Sequence, residues 1–134
     1  MAVQKHETFP IRTQEDIVRV RQAVREWSIA AGFRLVEQTK LVTAASEIAR
    51  NALLYGGGGT LLLQTLDDSP RQALRLVFED QGPGIKDIEQ ALKDGFTSGN
   101  GLGLGLGGAR RLVHDFSIES APGVGTRVTL TQWK

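Results

Sequence analysis

The chain has 134 residues, 40% hydrophobic and 23% charged, which suits one soluble globular domain with a real core and is too short for two. Sixteen basic and fifteen acidic side chains leave a formal net charge of +1, so charge points to neither nucleic acid nor an acidic membrane surface as partner. The absence of cysteine excludes disulfides and thiol chemistry, and His6 and His114 share no zinc-ligand spacing. In chain order, Phe9 to Arg12 reads as a short strand. Thr13-Gln-Glu-Asp16 then reads as a capping-box start for an amphipathic helix carrying Ile17, Val20, Val24, Trp27 and Ala31 on one side, stopped by Gly32.

A second helix is expected from near Val36, with Leu41, Ala44, Ala45, Ile48, Ala52 and Tyr55 along its apolar face and Gly56 to Gly59 ending it. Glu47 and Asn51 are four residues apart and project from one side of it, just off the buried stripe. Thr60 to Leu66 and Leu74 to Asp80 are apolar strands joined by a turn, Asp67-Asp-Ser-Pro-Arg71. Gly82-Pro83-Gly84 breaks the chain into a loop, and Asp87 with Gln90 can cap a short helix through Lys93. Gly99 to Gly108 is too glycine-rich to hold one conformation unaided, and helical composition resumes from Ala109 to His114. Phe116 to Ser120 and Thr126 to Thr131 alternate as strands about the turn Ala121-Pro-Gly-Val-Gly125. Strands gathered in hairpins predict an α+β, two-layer α/β sandwich: a mostly antiparallel mixed sheet with helices on one face.

Three segments carry candidate chemistry. Asp80, at the end of an apolar strand, can accept a hydrogen bond from an exocyclic amine such as adenine's, while Gly82 and Gly84 let a base lie against backbone; an aspartate that simply starts a turn is the alternative. On the second helix, the Asn51 amide oxygen is a hard neutral ligand suited to Mg²⁺, and the Glu47 carboxylate one turn away can polarise an attacking hydroxyl; a solvated helix face with a Glu–Arg pair is the bland alternative. The run Gly101-Leu-Gly-Leu-Gly-Leu-Gly107 offers backbone amides to phosphates at the start of a helix, or else serves close packing. It matches G-x-G-x-x-G from Gly103, but no strand precedes it and no acidic residue follows at the dinucleotide-fold spacing.

Together with Gly95-Phe-Thr-Ser98 and Gly123-Val-Gly-Thr126, these segments resemble those of the GHKL ATPase and kinase superfamily, and within it the RsbT-like switch serine/threonine kinases of the bacterial anti-sigma regulatory group. The likeness covers nearly the whole chain and implies one GHKL domain over residues 1–134. It implies ATP and Mg²⁺ as cofactors, with Asn51 the metal ligand, Glu47 the base or orienter of the attacking serine, and Asp80 the adenine anchor supported by Thr126. Gly82 and Gly84 would flank the base; Gly103 and Gly105, with the neighbouring amides of Gly101 and Leu104, would hold phosphates. The resemblance departs at Ser98-Gly-Asn-Gly101, where related kinases carry an arginine, so the group that offsets γ-phosphate charge is left unassigned.

The implied activity is protein serine/threonine phosphorylation in a stress-response partner switch. Its expected partners are STAS-domain antagonist or scaffold proteins as substrates and a PP2C-type phosphatase as the target of the released kinase. A nucleotide-dependent anti-sigma factor that sequesters a sigma factor is the alternative. A monomer or homodimer is expected, without nucleic acid or membrane. A cytoplasmic location is expected because Met1-Ala-Val-Gln-Lys-His-Glu7 lacks a signal-peptide core and no stretch nears the roughly 20 apolar residues of a membrane span.

Overall fold

The computed structural model describes residues 2–85, 87–92 and 105–134. The chain opens with β1 (Ala2–Ile11), α1 (Gln14–Ala30) and α2 (Leu35–Leu54), followed by the hairpin of β2 (Gly59–Asp68) and β3 (Arg71–Asp80). Two short helices, α3 (Ile88–Ala91) and α4 (Gly105–Arg111), precede a second hairpin of β4 (Asp115–Ala121) and β5 (Gly125–Trp133). One sheet holds all five strands in the order β1-β2-β3-β5-β4, and each of its four ladders is antiparallel. The expected α+β architecture is therefore present, with no parallel pair among the described residues.

Local chemistry accounts for the helix positions. Thr13 Oγ1 accepts from the Asp16 amide at 3.2 Å, and Asp16 Oδ2 accepts from the amides of Arg12 and Thr13 at 2.9 and 3.2 Å, so the capping box forms with one further donor satisfied. On α1, Ile17, Val20, Val24 and Trp27 are buried. Along α2, Ala44, Ala45 and Ala49 are fully buried, and their small side chains let this helix lie close to its neighbours. Tyr55, expected on the apolar face, is instead the C-cap residue and 43% exposed.

Sheet and helices meet over one core. Leu61 and Leu63 of β2, Leu74, Leu76 and Phe78 of β3, and Val128 and Leu130 of β5 join the apolar faces of α1 and α2, the alternation that a sheet covered on one face requires. Each such buried Leu, Ile or Phe stabilises the fold by about 1.5–3 kcal/mol. β1 is ten residues long rather than the short strand expected from Phe9. Its residues 2–8 are exposed and are held by ladder hydrogen bonds to β2, which leave no hydrophobic period in the sequence. α4 begins at Gly105, four residues before the helical composition predicts. None of the helices among the described residues is long and apolar enough to cross a membrane.

Candidate functional site

A cavity of about 430 Å³ opens between α2, the loop after β3, and α4, within the size range of small-molecule sites. Ile48, Phe78, Leu106 and Val128 are among its apolar lining, and Glu47, Arg50, Asn51, Asp80 and Thr126 among its polar lining. Glu47 and Asn51 reach it from α2, as their spacing predicts, because they lie beside the buried stripe of Ala44, Ile48 and Ala52, of which Ile48 and Ala52 also line the cavity.

Asp80 enters from the sheet. The ladder places it at the last position of β3, opposite Thr126 of β5 on one side and Gly59 of β2 on the other. The Gly82 amide donates to Asp80 Oδ1 at 3.0 Å. Burial pushes the Asp80 carboxyl above the ordinary aspartate range, opposed by the backbone amides of Gly82 and Thr126. Gly56 is required beside it: a Cβ there would meet Asp80 Cγ at 2.4 Å.

Close backbone approach also explains Gly82, where a Cβ would meet the Gly56 Cα at 2.6 Å. Gly82 therefore packs the loop against the end of α2, while Gly84 lines the cavity. The Gly105 amide, expected among the phosphate donors, donates to Glu47 Oε2 at 3.3 Å, so α4 begins on the carboxylate of α2. Gly101, Gly103 and Leu104, with the rest of the glycine-rich run from Gly99, lie outside the described residues. Of the site residues expected from sequence, the structure brings Glu47, Asn51, Asp80, Gly84, Gly105 and Thr126 to one cavity, whereas Gly82 is not among its lining residues and packs against Gly56.

Two contributors have no role that the sequence alone suggests. Ser120 Oγ accepts from the Ile85 amide at 2.8 Å and lies 3.0 Å from the Gly125 carbonyl and 2.9 Å from Thr126 Oγ1, tying the loop after β3 to the second hairpin. Only its alternation within β4 is visible in sequence, and that says nothing of a loop 35 residues away. Arg50 lines the cavity and donates to Glu47 Oε1 at 2.6 Å; the i,i+3 spacing is a signal, though one shared with any surface pair.

The donor set also bears on a metal. Among the described residues there is no cluster of three His, Cys, Asp or Glu side chains able to hold an ion unaided. Asn51 lines the cavity, and its neutral amide oxygen is of the kind that would suit a Mg²⁺ ion taking its remaining ligands from nucleotide phosphates and water.

Residues 36–134 match the family model described as histidine kinase-, DNA gyrase B-, and HSP90-like ATPase. The chain is 42% identical over 123 residues to serine/threonine-protein kinase RsbT of Bacillus subtilis (strain 168), covering 92% of each. It is 34% identical over 104 residues to anti-sigma F factor of Bacillus licheniformis, covering 72% of this chain and 69% of that protein. The crystal structure of the RsbU and RsbW domains of a Mycobacterium tuberculosis protein matches 96% of this chain with a TM-score of 0.63 and 23% identity, a likeness of fold that spans 31% of that longer chain.

Proposed function

The chain belongs to the histidine kinase-, DNA gyrase B-, and HSP90-like ATPase family, and we propose that, as one such domain over residues 1–134, it binds Mg²⁺-ATP in the cavity beside α2 and phosphorylates a protein partner there. It is an RsbT-like serine/threonine kinase that uses ATP in a partner-switching role. The observation that carries the assignment of the site is that Glu47, Asn51, Asp80 and Thr126, drawn from three elements, meet around one cavity of nucleotide size.

Each group has a task in this reading. Asp80 accepts from the adenine amine, and its elevated carboxyl is restrained by the Gly82 and Thr126 amides. Asn51 holds Mg²⁺, which supplies positive charge to the phosphates when bound. Glu47 takes the proton of the substrate hydroxyl as its oxygen bonds to the γ-phosphorus. The bond from that phosphorus to the β,γ-bridging oxygen breaks, and ADP leaves with the electron pair. Any phosphate donors of the glycine run, Gly101, Gly103 and Leu104 among them, would act beside Gly105, whose own amide is held by Glu47 Oε2.

The substrates in this reading are STAS-domain antagonist or scaffold proteins, and the kinase set free by their phosphorylation activates a PP2C-type phosphatase in the cytoplasm. The similarity to anti-sigma F factor supports a second reading, nucleotide-dependent capture of a sigma factor. Incubation with labelled ATP, Mg²⁺ and a candidate STAS-domain protein, with a sigma factor as competitor, separates the two. Transfer of label to serine or threonine of the STAS protein is expected. Failure to transfer, with a stable nucleotide-dependent sigma complex instead, would favour the second.

A further inference from the structure

The register of the sheet sets three polar side chains in one row. Asp80 of β3 lies opposite Thr126 of β5, and Thr126 lies opposite Ser120 of β4. Residues directly opposite across a ladder share a face of the sheet, so the three side chains stand next to one another. Asp80 and Thr126 line the cavity, whereas Ser120 is not among its lining residues and meets it through Thr126 and Ile85.

The proton inventory of Ser120 fixes what Thr126 presents to the cavity. A serine hydroxyl has one proton to donate and two lone pairs to accept with. The Ile85 amide, 2.8 Å from Ser120 Oγ, can only donate, so it takes one lone pair. The Gly125 carbonyl, 3.0 Å away, can only accept, and Gly125 is buried, where an unpaired carbonyl is costly; it takes the Ser120 proton. The contact of 2.9 Å with Thr126 Oγ1 is left with the second lone pair of Ser120, so Thr126 is the donor in it. Its proton is turned along the row toward β4, and its oxygen faces the cavity as an acceptor beside the carboxylate of Asp80.

On this basis, and resting on the reading above that a nucleotide base meets Asp80, we propose that Ser120 is a positioning residue for base selection. By holding the Thr126 proton away from the cavity, it leaves the base end with two neighbouring acceptors. Such a pair takes a purine with an exocyclic amine, which brings two N–H donors, and repels one with a carbonyl oxygen in the same place. Without the Ser120 hydroxyl, that of Thr126 can rotate and donate, and the discrimination weakens. The Ile85 contact gives Ser120 a second effect, on the loop after β3, that acts on every nucleotide alike.

Calorimetric titrations of ATP and of inosine triphosphate, which carries a carbonyl oxygen in place of the adenine amine, test this in the wild type, Ser120→Ala, Thr126→Val and the double variant. The wild type should prefer ATP. Ser120→Ala should weaken both nucleotides through the loop and, separately, lower the preference for ATP by roughly threefold to tenfold, the size of one hydrogen bond. In the Thr126→Val background, where there is no hydroxyl to orient, Ser120→Ala should leave the preference unchanged within about twofold. Ser120→Thr, which keeps a hydroxyl, should restore it. A preference unmoved in folded Ser120→Ala makes Ser120 a loop latch alone and overturns the proposal, as does a shift that persists in the Thr126→Val background. Should Ser120→Ala fail to fold, Thr126→Val decides: it too should lower the preference, and an unchanged one contradicts an acceptor at Thr126. A wild type that binds neither nucleotide overturns the kinase reading itself, whereas one that binds both equally overturns base selection by this row.

Discussion

In the proposed site, Asp80 would combine a binding role with a stability cost in one carboxyl. A group whose folded pKa lies above its unfolded one holds its proton more readily in the fold, so its contribution to stability declines as pH rises from the ordinary aspartate value through the raised one. Asp80→Asn removes that titration while keeping an oxygen for the Gly82 amide. Thermal melts of the nucleotide-free variant should show, at neutral pH, a Tm equal to or above that of the wild type. The same change presents an amide donor to the adenine amine, a buried mismatch of about 1–3 kcal/mol, or roughly 5- to 150-fold in Kd. Normal ATP affinity together with a lower Tm would make Asp80 structural. At this scale, residues whose chemistry is local are legible in the sequence: Glu47, Asn51 and Asp80 declare themselves by type and by position on a helix face or strand end. Ser120 and the packing role of Gly82 are not, because both depend on segments that meet only after folding: Ser120 with Ile85, Gly82 with Gly56.

Within single elements, α1 and α2 give the sharpest expectations. Thr13→Ala removes the acceptor for the Asp16 amide and should cost about 0.5–2 kcal/mol in denaturant unfolding. Asp16 in the same cap titrates with the opposite sign to Asp80. The Arg12 amide, with help from Thr13 and Arg19, holds its carboxyl below the ordinary range, so its stabilisation is complete above that range and lost as pH falls through the lowered value. On α2, Glu47→Ala should leave ATP binding near that of the wild type and slow phosphoryl transfer by roughly 10²-fold or more, as loss of a general base does. Equal losses in binding and transfer would instead mark the pair as structural. Both helices are legible because an apolar stripe and a capping box are written in consecutive residues. β1 is only half legible, since a strand held through its backbone at a sheet edge needs no alternation of side chains. The start of α4 at Gly105 escapes sequence reasoning for a related reason. Its first turn is all glycine and leucine, and it is anchored by Glu47 of α2 rather than by its own sequence.

Over the whole molecule, two hairpins supply four of the five strands, and turn chemistry at Ser69-Pro70 and Pro122-Gly123 makes that pairing legible in the amino-acid order alone. The ladder then does what sequence spacing cannot: it sets Asp80 beside Thr126 and turns the end of β3 toward α2. Site and scaffold thus depend on one register, since a one-residue slip would carry Asp80 to the other face of the sheet. In the proposed function this shared cavity is a Mg²⁺-ATP site in which Asn51 is the metal's side-chain ligand. Calorimetric titration of ATP with and without Mg²⁺, into the wild type and Asn51→Ala, tests it most directly. Mg²⁺ should tighten ATP binding to the wild type, and this increment should vanish in Asn51→Ala. An equal Mg²⁺ increment in both proteins, or no ATP binding by a folded wild type, would contradict it.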